Sequence, residues 1–174
     1  FVKTKEKADQ KELLKSLRLG TYISAGLTAI ISFFVIKCLL PENTGIFYGI
    51  IAGLISGALI GFTTEFYTSD TYSPTRNLAK TSETGPATII IGGLSLGMNS
   101  TVFPVIIVGI TVLVSFFACG GDVSNAISFN RGLYGIGIAA VSMLSTLGIT
   151  LATDAYGPIA DNAGGIAEMS ELGE

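Results

Sequence analysis

The residues best suited to chemistry in this chain are acids close to its end. The stretch "TDAYGPIADNAGGIAEMSE", Thr153 to Glu171, carries Asp154, Asp161, Glu168 and Glu171. Residues 132–174 hold five acids and no Lys, Arg or His. Asp154, Asp161 and Glu168 are spaced seven and seven. On a helix that interval drifts only about 20° from two full turns, so the three acids share one face. Consecutive members stand about 10.5 Å apart along the axis, at 1.5 Å of rise per residue.

That separation decides what the acids can do. A magnesium–carboxylate bond is about 2.0–2.1 Å long. Two of these carboxylates therefore cannot grip one ion, and each needs ligands from other helices. Carboxylates, with the Asn162 amide beside them, are hard oxygen donors, and no imidazole or thiolate is near. This suits Mg²⁺, or Ca²⁺ and Mn²⁺, rather than zinc. Gly157, Gly164 and Gly165 would let a ligand or another backbone come close. Pro158 removes one helical hydrogen bond. The plainer reading is a solvated helix end with surface acids. The helix macrodipole disfavours acids at a C-terminal end, and membrane-edge acids are usually functional, so cation binding is the stronger expectation.

The elements that must position these acids are apolar. The 174 residues are 49% hydrophobic and only 13% charged, with 22 glycines and no Trp. Mean hydropathy is +0.63. Apolar runs without strict alternation exclude a transmembrane barrel and predict an all-α, polytopic transmembrane helix bundle. The predicted helices are 19–40, 46–66, 86–118 and 132–169, within one integral membrane domain covering 1–174. Residues 1–18 form a basic segment with six of the ten basic residues. The second run carries Gly49, Gly53, Gly57 and Gly61 at strict fourfold spacing, a bare ridge for tight helix packing. The last predicted helix is 38 residues, about 57 Å, against a hydrocarbon core of about 30 Å. It is expected to stand out of the lipid, with Asp154 near the boundary and Asp161 and Glu168 beyond it.

Basic residues in 1–18, together with Arg76 and Lys80 in the second connector, put these segments in the cytoplasm by the positive-inside rule. Both ends of the chain and the acidic motif then lie on the cytoplasmic side. The first residue is Phe and the last four are "ELGE", so a segment of a longer chain is expected. Cys38 and Cys119 have no metal-site spacing and read as buried free thiols.

Three stretches carry a family resemblance. "ATDAYGPIADNAGGIAEM", Ala152 to Met169, resembles the signature of the membrane-integral, ion-translocating inorganic pyrophosphatases. "GFTTEFYTSDTYSPTRNLA", Gly61 to Ala79, resembles their TEYYTS segment, with Phe66 replacing Tyr. "SETGPATIIIGGLSLGMNSTVFPV", Ser82 to Val105, resembles their TGPATN segment, with Ile89 in place of Asn. The resemblance covers about residues 45–174. It implies four consecutive helices from the middle of a sixteen-helix subunit that pairs as a homodimer. It implies a funnel of inner helices opening to the cytoplasm and holding several Mg²⁺ ions and pyrophosphate. Asp161 matches a magnesium-binding aspartate of that family, and Asp154 matches another acid on the same helix. Asn162 and Glu168 match motif letters without an assigned role.

The implied function is a pyrophosphate-energised proton or sodium pump, a Mg²⁺-dependent membrane pyrophosphatase with K⁺ or Na⁺ as activators. Its partners would be magnesium pyrophosphate, the transported H⁺ or Na⁺, the bilayer and a second subunit, and no nucleic acid. The cationic wall facing pyrophosphate and the water-orienting acids would come from other helices. The 174 residues alone are therefore expected to be inactive. Two alternatives remain at this point. One is a non-hydrolytic cation transporter or channel segment using the same ladder, and the other is a structural membrane segment.

Overall fold

In the computed structural model, residues 10–171 are described. The side chains of residues 10–14, Thr150, Thr153, Asp154 and Tyr156 fall outside that description. The outermost part of the basic segment, residues 1–9, also lies outside it. Of the described residues, 88% are helical and none lies in a strand. The order is α1 (Gln10–Leu39), α2 (Gly45–Thr68), α3 (Ser73–Thr81), a 3₁₀ turn (Ser82–Thr84), α4 (Pro86–Ala118), α5 (Ala126–Met143), a second 3₁₀ turn (Leu144–Thr146) and α6 (Leu147–Met169). Among the described residues, four helices are long and apolar enough to cross a membrane. They make a polytopic transmembrane bundle.

Helix α2 is the hub, packing on α1, α4 and α5. Its glycine ridge explains why. A Cβ at Gly53 would overlap the Ala139 carbonyl oxygen, and one at Gly57 would sit 2.9 Å from Met143 O. One at Gly49 would lie 3.6 Å from Gly135 O. The partners 135, 139 and 143 advance in step with 49, 53 and 57, so α2 and α5 run parallel. Small residues at both surfaces allow the backbones to approach until carbonyl oxygens fill the groove. A side chain there would force the helices apart.

The opposite edge of α2 meets α4 running the other way. Ser56 and Thr111 share a buried hydroxyl hydrogen bond. Each hydroxyl has one proton, so only one of the two can donate across while the other donates to its own helix, where Ala52 O lies 2.7 Å from Ser56 Oγ and Ile107 O 2.7 Å from Thr111 Oγ1. A shared hydroxyl contact is one way apolar helices fix their register without water. Phe116 and Ser115 close the α4–α5 hairpin, where a Cβ at Gly135 would come within 2.7 Å of Ser115 O. Pro104 lies inside α4, yet the helix is continuous.

Two connectors are built corners. The segment after α2 turns at Ser69, whose hydroxyl accepts from Thr71 N–H at 3.2 Å. Thr75 Oγ1 donates to Tyr67 O at 3.2 Å, and Arg76 Nε to Asp70 O at 2.7 Å. Polar residues 73–81 then form the short helix α3, with Pro74 in its first turn. Leu78 of α3 leans on Gly92 of α4. At the next corner Gly85 has φ +120°, a left-handed conformation that favours glycine. Pro86 follows as a first-turn residue of α4. Thr88 Oγ1 lies 2.6 Å from Thr84 Oγ1 and donates to Gly85 O at 2.8 Å.

The fourth apolar run starts at Ala126, where the Asn125 side chain caps Ile127 N–H at 3.0 Å. It does not continue as one α-helix. After Met143 the backbone tightens into the 3₁₀ turn Leu144–Thr146 before α6 begins. Gly61, the fourth member of the ridge, has nothing within 4 Å of a built Cβ. The ridge is thus used at Gly49, Gly53 and Gly57 and left bare where the 3₁₀ turn diverts the partner helix. Both thiols are free: Cys119 is half-buried beside Gly49 and Gly135, and Cys38 is exposed.

Candidate functional site

Helix α6 carries the acidic motif and is nearly isolated. Among the described residues it packs only on α1 and on the 3₁₀ turn that precedes it. Ala126 to Met169 would rise about 66 Å if straight, more than twice the roughly 30 Å of hydrocarbon. Pro158 sits inside α6 without ending it. A neighbour-free Gly157, Gly164 and Gly165 leave one side of the helix open to another backbone.

Asp161, Asn162 and Glu168 are all exposed, and no described basic residue pairs with Asp161 or Glu168. Asp154 lies on the same helix one ladder step earlier, with its side chain outside the description. Among the described residues no group of three His, Cys, Asp or Glu side chains comes together around a metal. The ladder therefore offers single carboxylates in succession. The donors fit a hard divalent cation by chemistry, all oxygen and acidic. They do not by themselves complete its six-fold shell.

A second polar cluster was not visible in the sequence. Arg18 forms an ion pair with Glu65 and donates to Tyr72 Oη at 2.8 Å. Its guanidinium also lies 5.9 Å from the Phe62 ring centroid. Arg18 thereby ties α1 to α2 and to the corner before α3. Tyr72 in turn packs at a tilt on Phe66, with centroids 5.3 Å apart, and Phe66 meets Tyr67 edge-on. In the sequence Arg18 counts simply as one of six basic residues near the start. Only its charge type and position at the end of an apolar run hinted at a partner. Beside this cluster, α1, α2 and the α5–α6 junction border an open pocket of about 560 Å³, lined by Thr21, Gly57, Gly61, Thr64, Met143 and Leu147 among others.

Long apolar helices and a hydroxyl-knotted bundle define a class: polytopic helical membrane proteins. The family follows from comparison. The model of the inorganic H⁺ pyrophosphatases matches residues 1–174, and the chain belongs to that family. It is 54% identical over 99% of its length to a Bacteroides thetaiotaomicron protein named "Putative K(+)-stimulated pyrophosphate-energized sodium pump", covering 23% of that protein. It is 42% identical over 99% of its length to the K(+)-insensitive pyrophosphate-energized proton pump of Methanosarcina mazei, covering 24% of it. It is 40% identical over 99% of its length to the K(+)-stimulated pyrophosphate-energized sodium pump of Thermotoga maritima, covering 23% of it. The chain spans about a quarter of the length of these relatives.

Proposed function

We propose that this segment serves a pyrophosphate-energised ion pump, in which Mg²⁺-dependent hydrolysis of pyrophosphate drives H⁺ or Na⁺ across a membrane. The observation that carries the reading is the placement of Asp161. It stands on the one helix that leaves the bundle, exposed and without a cationic partner among the described residues. A free carboxylate there is available to a divalent ion and to ligands from helices outside this segment.

Asp161, with Asp154 one step before it, would hold Mg²⁺, each joined by ligands from other helices. Bound there, Mg²⁺ would screen the acids from anionic pyrophosphate and polarise phosphoryl oxygens. The protein side of the work falls to the helix. Its backbone fixes each carboxylate at a set depth, and Gly157, Gly164 and Gly165 leave clearance for the substrate or a neighbouring helix. The 54% identity to a sodium-named, K⁺-stimulated relative favours Na⁺ transport with K⁺ activation. The basic residues at the start of the chain and in the second connector favour a cytoplasmic position for both ends and for the acidic motif. A homodimer completes the reading.

The test is hydrolysis by membranes carrying the full-length protein. Asp161→Asn should abolish pyrophosphate hydrolysis while the protein remains inserted. Full activity with unchanged magnesium dependence would overturn the assignment. Wild-type rates that rise with K⁺ and require Na⁺ would support the sodium pump, and rates indifferent to both would support the proton pump.

A further inference from the structure

A second pocket lies at the far end of the bundle from the Arg18 cluster and α6, where α1 ends and α2 begins. Its volume is about 320 Å³, and Phe33, Ile36, Lys37, Leu40, Phe47 and Tyr48 line it. Phe33 and Phe47 meet edge-to-face at 5.4 Å and join the two helices. Lys37 Nζ stands 5.7 Å from the Phe33 ring centroid. Ile36 is buried at the floor, while Leu40 and Tyr48 are exposed at the rim. Thr44 also borders the pocket, and its hydroxyl makes no capping bond to α2.

The depth of this pocket follows from the helices. Lys37 lies in the last turn of α1, whose apolar span ends at Leu39. A helix that crosses the bilayer brings its final turn to the level of the lipid headgroups. Lysine at such a place extends its ammonium toward the phosphates while its stem stays among apolar groups. Tyrosine commonly sits at the same level, with its ring in the apolar zone and its hydroxyl wet.

Two features select the occupant. Lys37 has no acidic partner among the described residues, although Glu42 lies only five positions on. The walls otherwise are aromatic and aliphatic. A small soluble anion would leave those walls wet, and a neutral lipid would leave the ammonium without a net counter-charge. We propose that this pocket seats an anionic phospholipid, its phosphate on Lys37 and the Thr44 hydroxyl and the first part of its acyl chains on Phe33, Ile36 and Phe47. An ammonium–phosphate contact is charge-assisted and stronger than a neutral hydrogen bond. The inference rests on the membrane-spanning bundle and is independent of the pyrophosphate reading.

The test uses the full-length protein, purified in detergent and examined by native mass spectrometry with added phosphatidylglycerol or phosphatidylcholine. Phosphatidylglycerol adducts should exceed phosphatidylcholine adducts several-fold. Lys37→Gln should erase the difference and Lys37→Arg should keep it, both eluting as monodisperse protein. Phe47→Ala should weaken binding of both lipids. A photoactivatable phosphatidylglycerol in vesicles should label peptides covering 33–48. Equal binding of the two lipids, an unchanged Lys37→Gln variant, or no label in 33–48 would overturn the proposal. Competition by soluble glycerol phosphate at the same concentration would also overturn it, because the site would then read a free anion.

Discussion

Helices α2 and α6 come from similar material and behave oppositely. Both contain glycines at helical spacing, and both are long. In α2, Gly49, Gly53 and Gly57 are spent on backbone contact with α5, and the hydroxyl of Ser56 is spent on α4. In α6, Gly157, Gly164 and Gly165 touch nothing, and Asp161 and Glu168 face outward. Glycine alone therefore does not say whether a helix face is finished. The polar residues beside it do. Serine and threonine satisfy one another or their own helix carbonyls inside this chain, whereas carboxylates need a cation or cationic side chains that the described residues do not bring.

This contrast can be broken first where the expected effect is largest. Asp161→Asn in the full-length protein should reduce pyrophosphate hydrolysis to background and leave thermal unfolding of the membrane-embedded protein unchanged. A large drop in thermal stability with it would make α6 a structural helix like α2.

Gly53→Leu should do the reverse. Its side chain must displace the Ala139 backbone, so destabilisation of about 3 kcal/mol or more is expected. Detergent-solubilised protein should unfold at lower temperature or fail to accumulate. Wild-type stability would show that the α2–α5 contact is loose.

Glu65→Gln comes next. It removes the charge opposite a half-buried Arg18 but can still accept a hydrogen bond, so a loss of about 1–2 kcal/mol is expected. Arg18→Gln should cost a similar amount. The loss should be nearly independent of salt, since salt screens shielded pairs weakly. An unchanged melting temperature in both variants would reduce the cluster to a surface contact.

A double-mutant cycle on Ser56→Ala and Thr111→Val should give a coupling of about 0.6 kcal/mol, the usual scale for hydroxyl contacts between membrane helices. Zero coupling would mean that each hydroxyl is satisfied by its own helix. The smallest effect belongs to Gly164→Ala. With open space around it, the added methyl should leave stability unchanged or raise it by up to about 1 kcal/mol through helix propensity. Lost hydrolysis at full stability would show that a ligand or another helix closes on that face in the complete protein.

Much of the bundle was legible because membrane helices announce themselves by length and apolarity. The ridge at 49, 53, 57 and 61 predicted close packing, and the structure supplies it at the first three positions. The fourth depends on the path of a different helix. The 3₁₀ turn at Leu144–Thr146 has no proline or glycine within it to signal a break. Likewise Thr64 to Gly85 reads as a polar connector, and α3 emerges within it because Pro74 can start a helix and Leu78 finds Gly92. The Arg18–Glu65–Tyr72 cluster joins residues 47 and 54 positions apart. No local pattern encodes a contact at that range.

By itself the sequence determined the apolar helices, their small-residue faces, the acid ladder and the family to which the chain belongs. These depend on the order of residue types along one helix, and helical periodicity converts that order directly into a face. Tertiary structure decided which faces are consumed. It set α2 parallel to α5, diverted α6 at the 3₁₀ turn and paired Arg18 with Glu65. Those outcomes depend on the volumes and charges that meet across separate helices, a balance that no single helix carries in its own sequence.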